Sequence, residues 1–330
     1  MKLLVPDSHL VNDIRGQKTF RVPKNLILMI LIYFGIFFVL QIFESFGMVF
    51  GIMPSVFAWA NEQMSNSGAL NSQEVMDKIN SLLEDPSNTF LMLLCTGIAT
   101  IGAMLYCRVV EGRKVRTMGF YKKGALVSYL LGLVAGFAAF SMLVGIAYLM
   151  GGVKFEGWRG QFTGQFFLIL LGFGIQGMSE ETICRGFMMT STLRHKNFWI
   201  ASLVNALIFA LAHAFNPGFT LLAMVNLTLC GLLFSAYVLR TGNIWGACAF
   251  HSIWNFAQGN IYGLPVSGLD TGDTAISMSL TGSDFVNGGA FGLEASIGCT
   301  IVQIVFILIF LFVPNPFAKK PETPAQEVSA

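Results

Sequence analysis

Long apolar runs separated by short polar breaks dominate this chain, and the run lengths set the first reading. Residues 1–24 are polar and basic, with Lys2, Arg15, Lys18, Arg21 and Lys24, and an apolar run follows from 25 to about 51. A helix needs about 20 apolar residues to cross a bilayer, so this run can span with tilt. Further runs lie at about 88–106, 125–150, 162–193, 198–215, 219–239, 244–262 and 296–313. The pattern predicts an all-α, polytopic membrane bundle of about eight transmembrane helices. Between the first two runs, Asn71 and Glu74 have capping-box spacing, and Val75, Met76, Ile79, Leu82 and Leu83 share one helical face. A short amphipathic helix on the membrane surface is expected there. The Gly-rich, mildly acidic stretch 263–295 reads as a loop that could cover the outer side, and the Pro-rich tail 314–330 as disordered and cytoplasmic.

Composition agrees with the pattern. Hydrophobic residues make up 54% of 330 and charged residues 12%, and the mean hydropathy is +0.66, outside the range of a soluble domain. The bilayer is therefore the first expected partner. A net charge of +2 gives no footprint for nucleic acid, and the position of each basic residue matters more. The N-terminal arm, the 108–123 connection (Arg108, Arg113, Lys114, Arg116, Lys122, Lys123), the Arg194-His195-Lys196 turn, Arg240 and Lys319-Lys320 fall on one side of an eight-span topology. The opposite loops hold Lys78, Lys154 and Arg159. The positive-inside bias then predicts a multi-pass cell-membrane protein with both termini cytoplasmic. No cleavable signal peptide is expected, because about 24 polar residues precede a run too long for an h-region. The six cysteines lie in or beside apolar runs without CxxC spacing, and read as small buried hydrophobes.

Within the fourth run stands Ser179-Glu180-Glu181-Thr182-Ile183-Cys184-Arg185-Gly186. Ionisable groups at membrane depth are costly and mark pathways, reaction sites or packing locks. On a helix Glu181 and Arg185 can pair at i,i+4, while Glu180 points about 100° away. His213 in the fifth run and His251 and Asn255 in the seventh are further polar residues in apolar surroundings; the chain has four histidines in all. If the fourth and fifth runs form a hairpin turning near Lys196, Glu180 lies 16 residues before the turn and His213 17 after it. Equal rise per residue then puts them at one depth, and His251 and Asn255 approach that level from about 12 to 18 Å in. Such a cluster suits hydrolysis: Glu180 as general base on a water, a histidine sharing the proton, and His251 and Asn255 donating to a developing oxyanion. The competing reading of each residue alone is interhelical glue. Glu44, inside the first run, is a further unexplained carboxylate.

Three spaced motifs, Glu180-Glu181-x-x-x-Arg185, Phe209-x-x-x-His213 and His251-x-x-x-Asn255, resemble those of the CAAX-processing and bacteriocin-processing (CPBP, or Abi) intramembrane endopeptidases. Arg116 to Phe120 and Gly288 to Gly292 also look like family features. The resemblance implies a protease core over 111–313, preceded by an N-terminal region (1–110) with two transmembrane helices and the surface helix. It further implies that Glu180 and His213 activate water, that His251 and Asn255 form the oxyanion hole, and that Glu181 and Arg185 support the geometry. The partner would be a membrane-associated peptide or protein, either a prenylated CAAX-type C terminus or a maturing bacteriocin-like peptide. No cofactor is favoured. Zinc held by Glu180, His213 and His251 is the alternative mechanism, disfavoured by the lack of HExxH and by the oxyanion role of His251. The alternative from another class is a non-enzymatic self-immunity factor or proton-coupled carrier.

Overall fold

The computed structural model of the chain describes residues 9–67, 70–83 and 85–312. The tail expected at 314–330 lies outside the described residues. Part of the N-terminal arm is helical: Leu10, Val11 and Ile14 share a buried face of α1 (His9–Gly16). α2 (Leu26–Ser67) starts where Asn25 Oδ1 accepts the Leu28 N–H at 3.1 Å, satisfying an orphan donor of the first turn. It runs 42 residues, through Pro54 and past the end expected near residue 51. A helix is present where the capping box and the apolar face predict one, as α3 (Ser72–Leu83). Its capping box is reciprocal: Asn71 Oδ1 accepts the Glu74 N–H at 2.9 Å and Glu74 Oε2 accepts the Asn71 N–H at 3.1 Å.

The second apolar run is α4 (Thr89–Cys95) and α5 (Gly97–Val109), broken at Thr96. There the Thr96 hydroxyl donates to the Leu93 carbonyl at 2.6 Å, and the Thr96 carbonyl accepts from the Ser179 hydroxyl at 2.7 Å. α6 (Ala125–Leu149) is followed by β1 (Val153–Trp158). α7 (Gly164–Glu181), capped by Thr163, passes without a break into a π-helical segment, Thr182–Met189, and then α8 (Thr190–Leu193). α9 (Phe198–Ala212) and α10 (Leu221–Thr241) are capped by Asn197 and Thr220. α11 (Trp245–Phe256) ends in a second π-helical segment, Ala257–Ile261. β2 (Ile276–Leu280), α12 (Asp284–Asn287) and α13 (Ile297–Phe312) complete the chain.

Five of these stretches are long and apolar enough to cross a membrane: Leu26–Asn66, Thr89–Val109, Ala125–Leu149, Gly164–Leu193 and Leu221–Thr241. The expectation of eight spans is met in part. The other three runs are, among the described residues, helices of 15, 12 and 16 residues (α9, α11 and α13); α13 reaches the last described residue, and α9 and α11 are shorter than the roughly 20 a perpendicular span needs. α9 stops where the chain turns at His213, and α11 gives way to its π segment. Large apolar side chains such as Ile27, Leu31, Phe38, Phe46, Ile101, Val134 and Leu171 remain exposed on the bundle, as hydrocarbon contact requires.

α11 lies at the centre, packed between α6 and α7, while α10 packs on α9 and α13. Small residues allow these approaches. A Cβ on Gly136 of α6 would fall 2.5 Å from the Phe250 carbonyl oxygen, and one on Gly177 of α7 would fall 2.8 Å from the Ser252 nitrogen. The loops expected at 150–162 and 263–295 are more ordered than the sequence pattern implied. β1 and β2 pair antiparallel, Val153 opposite Leu280 and Trp158 opposite Ile276 with an irregularity between Phe155 and Gly157.

Arg113 also departs from its expected role as a basic loop residue. Its guanidinium is fully buried, 2.6 Å from Glu111, 2.8 Å from the Thr190 hydroxyl and 3.1 Å from the Ser191 hydroxyl, and it also donates to the Gly186 carbonyl at 3.2 Å. This network ties the connection after α5 to the π segment and α8.

Candidate active site

Glu180 and Glu181 close α7, and the π segment begins at the next residue. π segments inside α-helices are rare and cluster at functional sites. Glu181 is fully buried and makes the expected pair, its Oε1 lying 2.9 Å from Arg185 Nη1. The same oxygen accepts from His251 Nδ1 at 2.9 Å. A carboxylate can only accept, so Nδ1 carries the proton and the other ring nitrogen is the one left facing Glu180. His251 Nε2 stands 3.6 Å from Glu180 Oε2, too far for a direct hydrogen bond. The Arg185 guanidinium lies between two rings, 5.0 Å from the centre of Phe209 and 5.2 Å from that of Phe234. Phe234 in turn stacks on His251 with ring centres 5.2 Å apart. The pair and the histidine are therefore gripped by aromatic faces, which favour cations.

Glu180 is the more open carboxylate, its side chain 25% exposed against 0% for Glu181. Its Oε1 accepts from Gln176 Nε2, and Gln176 Oε1 accepts from Asn255 Nδ2 at 3.0 Å. The carboxylate fixes which end of each amide faces which. One Asn255 N–H and the Glu180 Oε2 acceptor are left without a protein partner. His213 follows the last residue of α9, and its Nδ1 lies 2.9 Å from the Phe209 carbonyl. A carbonyl accepts, so Nδ1 is the donor and Nε2 of the neutral ring is an acceptor.

Glu180, His213, His251 and Asn255 all line one cavity of ≈ 500 Å³, which also receives residues of α2, α4, α10 and the 263–295 stretch. The structure thus brings the four predicted catalytic residues to one space, with Glu181 and Arg185 buried behind it. Zinc was the alternative for Glu180, His213 and His251. Among the described residues no three His, Cys, Asp or Glu side chains are grouped so as to hold a metal ion.

Three contributors were not among the sequence candidates. Gln176 bridges Glu180 to Asn255; its spacing of four from Glu180 within an apolar run was the available signal. Phe234 had none, since one more phenylalanine in an apolar helix is unremarked. Glu294 was read as a loop acid, yet it lines the cavity and accepts from the Ser267 N–H at 2.7 Å and hydroxyl at 2.8 Å. Glu44, unexplained in the sequence, lines the same cavity.

Residues 162–257 match the family model of Rce1-like proteins, described as type II CAAX prenyl endopeptidase Rce1-like. That segment is fewer than a third of the 330 residues, and its similarity to this family agrees with the resemblance carried by the three motifs. The match includes every residue from Glu180 to Asn255 discussed above, and Glu44 and Glu294 lie outside it. No curated protein and no solved structure matches the chain.

Proposed function

We propose that this membrane protein is an intramembrane endopeptidase that hydrolyses a peptide bond of a membrane-associated substrate with a water activated by Glu180 and His213. The observation that carries the reading is that Glu180 and His213, with unpaired acceptors in Glu180 Oε2 and the second ring nitrogen of His213, line one cavity together with Asn255 and His251. Acceptors take the protons of the attacking water, and donors meet the charge that develops on the carbonyl oxygen. Asn255 has a spare N–H for that purpose. His251 can serve when Nε2 is protonated as well, with Glu181 at 2.9 Å and Glu180 at 3.6 Å balancing the imidazolium. On collapse of the tetrahedral adduct, the proton held by Glu180 or His213 passes to the leaving amine. Glu181 and Arg185 fix His251 and do not touch the substrate. The family match supports a protease with CAAX-type substrates; peptide maturation, the other substrate class, rests on the resemblance of the motifs alone. The cell membrane as location and cytoplasmic termini belong to this reading through the distribution of basic residues.

A proton-coupled carrier draws support from a different observation, the presence of Glu44, Glu180 and Glu294 with two histidines along one cavity. Asn255 separates the readings, because a proton relay has no need of its amide. Purified protein in liposomes, assayed on a membrane-peptide library, tests both. The endopeptidase reading predicts that Glu180→Ala and Asn255→Ala each lower cleavage by at least about 100-fold. Proton flux that survives Asn255→Ala, with no cleavage by the wild type, favours the carrier.

A further inference from the structure

Gln176 touches both halves of the proposed chemistry, and the direction of each of its hydrogen bonds is forced. It stands on α7 one turn before Glu180, and its Nε2 donates to Glu180 Oε1. A carboxylate only accepts, so the amide nitrogen of Gln176 faces Glu180 and its carbonyl oxygen faces the other way. That oxygen accepts from Asn255 Nδ2 at 3.0 Å, a bond from α7 to α11. Gly177 makes the reach possible. A Cβ on it would stand 2.8 Å from the Ser252 nitrogen, so the two helices meet here with no side chain between them. Gln176, Glu180 and Asn255 all line the cavity.

Resting on the endopeptidase reading, we propose that Gln176 is a positioning residue that sets the general base and the oxyanion donor together. The two ends of an asparagine amide have nearly the same shape and opposite chemistry, so what lies opposite settles which end points where. The Gln176 carbonyl requires a donor, and Asn255 therefore turns its nitrogen to this side. Nδ2 carries two hydrogens; Gln176 takes one, and the other is kept for the carbonyl oxygen as its charge develops. An Asn255 amide turned the other way would offer an acceptor to that oxygen and oppose the reaction. On the base side, Gln176 occupies Glu180 Oε1 and leaves Oε2, which has no partner, to take the proton. As the water oxygen bonds to the carbonyl carbon, its proton passes to Glu180 and the carbonyl electron pair moves to the oxygen facing Asn255. Both changes fall on groups tied to the same amide. Interhelical glue would need only some polar contact between α7 and α11, in either direction.

The test uses full-length protein in liposomes and a membrane peptide, taken from the library, that the wild type cleaves and Glu180→Ala does not. Gln176→Met keeps the length of the side chain and removes the amide. Gln176→Asn keeps the amide and shortens its reach by one methylene, so that it cannot span both partners. Either variant should lower kcat at least about tenfold and leave KM within about twofold of wild type, with an unfolding temperature in detergent close to that of wild type. In an Asn255→Ala background the same substitution should cost no more than about threefold, because one of the two groups it positions is gone. A wild-type kcat in either folded variant, a loss confined to KM, or a loss undiminished by Asn255→Ala overturns this proposal and leaves the protease reading standing. Failure of both variants to fold would make Gln176 a packing residue and overturns it too. Absence of any Glu180-dependent cleavage by the wild type overturns both readings.

Discussion

Glu180 and Glu181 are neighbours in sequence with opposite circumstances. Glu181 is closed off, shared between Arg185 and His251. Glu180 lines the cavity and keeps one oxygen unpaired. The consequences of mutation should differ accordingly. Glu180→Gln keeps the shape and the bond to Gln176 can re-form through its carbonyl or amide, so the protein should fold and insert while cleavage falls by about 100-fold or more. Arg185→Leu instead leaves Glu181 buried without its guanidinium partner, with only His251 bonded to it. Breaking a buried pair from one side costs about 3–5 kcal/mol, which should appear as a large drop in thermal unfolding temperature in detergent, along with lost activity. Glu181→Gln combined with Arg185→Leu should recover part of that stability and little of the activity. The i,i+4 pair was legible in the sequence because one helical turn determines it. The bond from His251 to Glu181 was not, because it joins residues 70 apart and depends on how α7 and α11 meet. The reading therefore assigned His251 to the oxyanion without seeing the carboxylate that orients it. Phe234 and Glu294 escaped for the same reason, whereas Gln176 stands one turn from Glu180 and was within reach of a local reading.

Elements meet closely around the site because small residues allow it. Gly177 lets α7 approach α11 one turn before Glu180, and an added Cβ would stand 2.8 Å from the Ser252 nitrogen. Gly177→Ala should force the helices apart and lower cleavage at least about tenfold, since misplacement by about 1 Å can cost 100-fold. Gly145→Ala on α6 is the control: a Cβ there meets nothing within 4 Å, and its helix should be unchanged or slightly stabilised. At this scale the apolar runs were legible, and so were the capping box of α3 and the order of the helices. Their ends were less so. A π segment differs from an α-helix only in its i→i+5 hydrogen-bond register, so over five to eight residues neither Thr182–Met189 nor Ala257–Ile261 leaves a mark in a pattern of apolar residues. The β1–β2 pairing joins residues from 153 to 280 across a separation no local pattern encodes. Arg113 shows the limit of charge counting: it was one of six basic residues assigned to a connection, and it is fully buried.

For the whole molecule, the distribution of basic residues predicts which side each loop occupies. Lys122 and Lys154 are exposed at opposite ends of α6. In intact cells Lys154→Cys should react with an impermeant thiol reagent, while Lys122→Cys should react only after permeabilisation. The native cysteines should give little background, since five are buried and Cys230 is half-buried. The reverse labelling pattern would invert the topology. α2 bears on the whole in another way. It belongs to the first 110 residues, for which the motifs gave no reading, yet it completes the cavity with Gln41 and Glu44. The most direct measurement is cleavage of the membrane-peptide library by purified protein in liposomes, wild type beside Glu180→Ala, with and without a zinc chelator. The account predicts cleavage that depends on Glu180 and survives chelation. Cleavage that chelation abolishes and zinc restores would contradict the water-activating role of Glu180 and His213, and cleavage retained by Glu180→Ala would contradict the site itself.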